Sequence, residues 1–247
     1  MRPSARAVAL AAAPVLLPQV RRARRSIPRL PKAAGPHTGV IGDGDGCAPL
    51  SLLVIGESTA VGVGATTQAE ALAGQLARRL SSPGDAARTV SWAALGRSGA
   101  AARHVLRDHV PLVTGEWDVV VLVLGVNDTL GLTPVPRWRA TVEEILDALE
   151  PHVADGGGLV LAGLPAVSRF VALPQPTRAL LGRHARALDD ELAAIAGGRE
   201  RTLHVRTPVL GSGPMLAVDR FHPSALGYAV WAAELARALA AEWLLHP

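Results

Sequence analysis

A chain of 247 residues, 49% of them hydrophobic, is long enough to bury one sizeable core, and a single α/β domain is the default expectation. The formal net charge of +4 is unevenly placed: eight Arg and Lys against Asp43 and Asp45 fall in residues 1–46, which leaves the rest slightly acidic. The acidic body offers no footprint, and 3% aromatic residues in the whole chain give no stacking platform, so no nucleic-acid partner is expected. The single Cys47 excludes an intrachain disulfide, and no Cys/His cluster has the spacing of zinc ligands, so no metal site is expected.

In chain order, residues 1–48 read as an apolar and Arg-rich segment with a Pro/Gly linker, and residues 49–247 as the folded domain. Arg2 and Arg6 followed by the apolar run 7–18 resemble the first regions of a signal peptide, but interrupting prolines and Arg21-Arg22-Ala23-Arg24-Arg25 count against cleavage. The run is shorter than the ~20 apolar residues that cross a bilayer. The plain reading is a helix packed on the domain, then a linker over residues 27–46. The alternative is peripheral contact with an anionic membrane through residues 1–30. Cytoplasmic residence is the expectation, and export stays open.

Leu52-Leu53-Val54-Ile55 is a short apolar run bounded by glycine, as in a strand buried on both faces of a parallel sheet. It runs into the turn Gly56-Glu57-Ser58, and Gly62 and Gly64 are expected to let backbone approach a ligand. Residues 68–80 follow as a helix, stopped by Ser81-Ser82-Pro83-Gly84. Strands are predicted at 89–95, 119–124, 158–162 and 202–206, and helices at 100–109, 136–149 and 177–196. A final helix opens at Asp219-Arg220-Phe221-His222-Pro223, with Pro223 suited to its first position. This alternation predicts a three-layer α/β fold, a parallel sheet of about five strands with helices on both faces.

Open α/β sheets place their chemistry outside the carboxyl ends of the strands. Ser58, the turn Gly96-Arg97-Ser98-Gly99 and Asn127 each follow a strand, so their loops converge on one edge. Asp219 lies three residues before His222, close enough to accept from one ring nitrogen and leave the other free as a base. Nucleophile, base and orienter are the parts acyl transfer needs. The Asn127 amide with the backbone N–H groups of Ser58 and Gly99 could form an oxyanion hole. Each part has a plainer reading: Asn127-Asp128 as a helix cap, Asp219 with His222 as a structural pair. Trp92 and Trp231 read as core, and the remaining histidines as structural or surface residues. Arg97, Phe170 and Leu173 are candidates for lining an acyl pocket. Neither phosphate-loop pattern is present around Gly62 and Gly64.

Four blocks, Gly56-Glu57-Ser58, Gly96-Arg97-Ser98-Gly99, Gly125-Val126-Asn127-Asp128 and Asp219-Arg220-Phe221-His222-Pro223, stand in the order of the SGNH (GDSL) hydrolase family. The resemblance covers about residues 50–245. It implies a flavodoxin-like sheet and a serine esterase or acylhydrolase working without a cofactor on small-molecule or lipid esters. Ser58 is then the nucleophile, His222 the base and Asp219 its orienter, with Ser58, Gly99 and Asn127 as oxyanion donors. The sequence departs from the family's usual Asp before the serine, where it has Glu57. Two other functions use the same residues: an acyltransferase with an alcohol in place of water, and a binding module that has lost the reaction.

Overall fold

Leu52 and Val54 face one apolar layer while Leu53 and Ile55 face another, so the strand they share must be covered on both sides. The computed structural model describes residues 14, 18–19, 22, 28–45, 48–82, 87–210 and 213–244. Residues 7–18 and 21–25, read above as apolar run and arginine cluster, lie largely outside these, as do Cys47 and the Pro83-Gly84 stop. The elements in chain order are β1 (Thr38–Asp45), β2 (Leu50–Gly56), α1 (Leu72–Leu80), β3 (Arg88–Gly96), α2 (Ala102–Asp108) and β4 (Trp117–Val123). Then come α3 (Val126–Leu130), α4 (Val135–Leu149), β5 (Val153–Ala162), α5 (Thr177–Gly197), β6 (Thr202–Val205) and α6 (Ala225–Leu239).

The sheet has six strands in the order β1-β3-β2-β4-β5-β6. The five from β2 onward pair in parallel, and their order reverses at β2, which lies between β3 and β4. That is the flavodoxin-like order, and the reversal is the place where such sheets open a crevice at the strand ends. One layer is built from α2, α4 and α5, with Trp138, Ile145 and Leu188 fully buried against Leu53, Val120 and Leu161. The opposite layer is α1 and α6, where Leu76, Tyr228 and Trp231 cover Leu52, Val54 and Val121. Each large apolar side chain buried in this way is worth ~1.5–3 kcal/mol.

The sequence reading is corrected at three points. Residues 38–45, assigned to the linker, form β1, which pairs antiparallel with β3 and makes the sheet mixed. Its glycines and aspartates hide the strand signal, and Val40 on this edge strand is exposed, so there is little apolar alternation to read. Second, the last helix begins at Ala225, not around Pro223. Ser224 is its N-cap and accepts from the Gly227 N–H at 3.3 Å, which leaves His222 in the preceding loop. Third, five-residue α3 follows β4 directly and is too short to show a helical period. Among the described residues, no helix is long and apolar enough to cross a membrane.

Candidate active site

The turn after β2 is fixed before any chemistry is considered. Glu57 N–H donates to Val123 O at 2.9 Å, tying it to the end of β4, and Val63 N–H donates back to Ser58 O at 3.0 Å. Tyr228, fully buried on α6, donates its hydroxyl to Val63 O at 2.7 Å. Gly64 has φ +101°, and a Cβ there would collide with Pro223 O, so this glycine lets the His222 loop close on the serine turn. Gly62 and Gly64 therefore admit protein, not ligand, as their close neighbours.

On that platform Ser58 Oγ lies 3.0 Å from His222 Nε2, and His222 Nδ1 lies 2.6 Å from Asp219 Oδ2. The partners dictate the tautomer: a carboxylate accepts, so Nδ1 carries the proton and Nε2 is left to accept from the serine. The other oxygen of Asp219 accepts the backbone N–H groups of Phe221 at 2.9 Å and His222 at 3.0 Å. Arg220, between Asp219 and these two residues, has φ +54°, the left-handed turn that folds both amides over one carboxylate. Burial pushes the Asp219 pKa up, but the hydrogen bonds from the His222 ring and these amides outweigh it and hold the carboxyl below its ordinary value.

Glu57 is the second carboxyl beside the serine, 3% exposed. It accepts the backbone N–H groups of Val126 and Asn127, each at 3.1 Å, and the Asn127 side-chain amide at 2.5 Å. Burial raises its pKa to about 7 in spite of these three donors, and the Asp128 charge adds to the rise. The Asn127 amide also donates to Ala100 O at 3.2 Å, so both its hydrogens are engaged within the protein. Asp128 joins the second and third loops: it accepts from Ala102 N–H at the start of α2 and from Thr133 Oγ1, both at 2.8 Å. It therefore caps α2 and not the segment that follows it.

Two cavities meet at Ser58 and His222. One, of about 60 Å³, is narrow and apolar, with Phe170, Leu216 and Trp231 in its walls. The other, of about 390 Å³, has Gly99, Asn127 and Leu173 in its walls. Thus Ser58, His222, Gly99 and Asn127 share the wide cavity with Leu173, whereas Phe170 lines the narrow one. No hydrogen bond from the Ser58 or Gly99 backbone N–H is found among the described residues, so both remain available to a ligand. Gly96 lies instead at the end of β3, packed on Gly56 O. Arg97 is not brought in: its guanidinium points to Asp108 at 3.4 Å and lines neither cavity. Trp231 is core, as read, yet it also walls the narrow cavity. Residues 28–30, Val63 and Leu130 line the wide cavity without having been singled out, because nothing in their local pattern marks them. Among the described residues, no group of three His, Cys, Asp or Glu is gathered to hold a metal.

The family model of GDSL-like lipases and acylhydrolases matches residues 54–230, from β2 into α6, and so takes in all four loops described above. The chain belongs to the GDSL-like lipase/acylhydrolase family. Within it, the chain is 29% identical over 238 residues to the GDSL-like esterase Rv1075c of Mycobacterium tuberculosis, covering 90% of this chain and 74% of that one. Among solved structures, esterase EstA of a Pseudoalteromonas species matches with a TM-score of 0.60 at 16% identity, over 79% of this chain and 99% of that one. The extracellular lipase of Streptomyces rimosus matches with a TM-score of 0.55 at 17% identity, over 77% and 99%. Identities this low speak for the fold alone. A GDSL fold in this chain accounts for the order of its loops, and family membership supports ester hydrolysis.

Proposed function

We propose that the protein is a serine ester hydrolase in which Ser58 is the nucleophile, His222 the general base and Asp219 its orienter. The observation that carries this reading is the continuous chain Asp219 Oδ2–His222 Nδ1 at 2.6 Å and His222 Nε2–Ser58 Oγ at 3.0 Å, opening into a cavity. Ser58 Oγ attacks the ester carbonyl carbon while His222 Nε2 takes its proton. The carbonyl oxygen becomes the oxyanion. The tetrahedral species collapses with loss of the alcohol, which receives that proton, and a water deprotonated by His222 then releases the acid.

The Ser58 and Gly99 N–H groups are the ready donors to the oxyanion. Asn127 joins them by lending one amide hydrogen, most easily the one on the longer contact to Ala100 O. One such donor is worth about 10²–10³ in rate. Ser58→Ala should abolish turnover of 4-nitrophenyl butyrate and leave the circular dichroism and melting temperature near those of the wild type. Turnover at the wild-type rate in that variant would overturn the assignment.

A further inference from the structure

The wide cavity is not built by the strand-end loops alone. Residues 28–34, which precede the sheet, are fastened to the serine turn: Ala33 N–H donates to Val61 O at 3.2 Å and Ala34 N–H to Thr66 O at 2.9 Å. Gln68 closes the junction, its backbone N–H donating to Ala34 O at 2.9 Å and its side chain to Ala33 O at 3.3 Å and Val61 O at 3.1 Å. Ala33 is buried, and a Cβ on Gly62 would press against it at 2.8 Å, so the two backbones are in close contact. Further back, Gln19 donates to Gln175 O at 3.2 Å and accepts from Thr177 Oγ1 at 2.6 Å, at the start of α5. The N-terminal segment is thus tied on one side to the serine turn and on the other to α5.

Between those ties, Pro28, Arg29 and Leu30 form part of the wall of the cavity that holds Ser58, His222, Gly99 and Asn127. The remaining walls are apolar or neutral, and among the described residues no Asp or Glu lines this cavity. Among the described residues, Arg29 is its one permanently charged side chain. Arg29 is exposed and has no ion pair or hydrogen bond among the described residues, so its five donors are not spent on the protein. An unpaired guanidinium at the rim of a mostly apolar cavity matches an acyl chain that is apolar near the carbonyl and anionic at its far end.

We propose that residues 28–34 build a substrate subsite and that Arg29 makes the enzyme favour short esters whose acyl chain ends in an anionic group such as a carboxylate. This rests on the esterase reading of the site, and it gives the N-terminal segment a place in specificity.

The test uses the full chain and a matched pair of esters, methyl butyrate and monomethyl succinate, which differ by a terminal methyl against a terminal carboxylate. The expected result is that the ratio of kcat/KM for succinate over butyrate falls about tenfold in Arg29→Ala and further in Arg29→Glu, while Arg29→Lys recovers part of it. The wild-type ratio should also fall as salt rises, because the pair is near solvent. A ratio unmoved by Arg29→Ala and Arg29→Glu overturns the proposal. Binding of two unreactive amides, succinamate and butyramide, measured by calorimetry in the Ser58→Ala background, separates the two readings. Succinamate should lose about tenfold relative to butyramide when Arg29 is replaced. No turnover of either ester, with that preference intact, would count against the esterase reading and not against the subsite; equal loss of both amides would sink the subsite.

Discussion

Two carboxyls flank the serine, and they are alike in exposure and in hydrogen-bond count. Asp219 and Glu57 are each 3% exposed, and each accepts two backbone N–H groups and one side-chain nitrogen. Yet burial wins at Glu57, whose pKa rises to about 7, and loses at Asp219, whose pKa falls. The difference lies first in how deeply protein encloses each carboxyl, which is greater at Glu57, and then in the third partner and the neighbours. Asp219 faces an imidazole that can become a cation, whereas Glu57 faces a neutral amide and has the Asp128 carboxylate nearby. Hydrogen-bond count alone does not set the charge of a buried acid; the depth of its burial and the nature of its partners do. In the proposed mechanism Asp219 is thereby held as an anion beside His222, while Glu57 holds the loop of Asn127 in place.

Replacing Asp219 by Asn breaks this comparison with the largest effect. The amide keeps the shape but can donate to Nδ1, favouring the wrong tautomer, and kcat should fall on the order of 10³–10⁴. A pre-steady-state measurement of acylation with 4-nitrophenyl butyrate would show it. A loss under tenfold would mean that Asp219 only closes the loop.

Glu57→Gln should be milder, about tenfold in kcat, because one oxygen can still accept a backbone N–H of the Asn127 loop. The same variant sharpens the comparison through stability. The folded state binds a proton at Glu57 up to about pH 7, whereas the ordinary value is 4.5. The contribution to stability is therefore full below about pH 4.5 and is lost as pH rises through about 7. Asp219 runs the other way, its contribution present above the ordinary carboxylate range and lost as pH falls through its lowered pKa. Urea unfolding at pH 5 and pH 8 should show the wild type losing on the order of 3 kcal/mol more than Glu57→Gln over that interval, at ~1.4 kcal/mol per pKa unit. Equal losses would place Glu57 ionised throughout.

The smallest effect concerns the turn that shapes the Asp219 cradle. Arg220 has φ +54°, a region that costs a side-chain-bearing residue ~1 kcal/mol and glycine almost nothing. Arg220→Gly should leave kcat within about twofold and change stability by no more than ~1 kcal/mol. A large loss of activity would show that the guanidinium, not the turn, matters.

Much of this site could be read from the sequence, for a physical reason. Ser58, Asn127 and Gly99 each follow an apolar strand, so knowing that the strands are parallel brings the loops to one edge. Asp219 and His222 are three residues apart, so their contact is local. What escaped the sequence depends on distant packing. β1 is recognisable only through its pairing with β3, and the place of Arg29 only through the docking of Ala33 and Ala34 on the serine turn. Arg97 was misread because its turn does face the site, while its long side chain swings to Asp108. Glu57 stood out as a departure from the family, but its hold on Asn127 needed the third dimension.

The central claim is that Ser58 carries the acyl group because His222 takes its proton. Treating the full chain with a fluorophosphonate at neutral pH and mapping the adduct by peptide mass spectrometry tests this directly. One stoichiometric adduct on Ser58 is expected, formed at least about 10²-fold more slowly in His222→Ala. An adduct on another residue, or active enzyme that hydrolyses esters with Ser58 unlabelled, would contradict it.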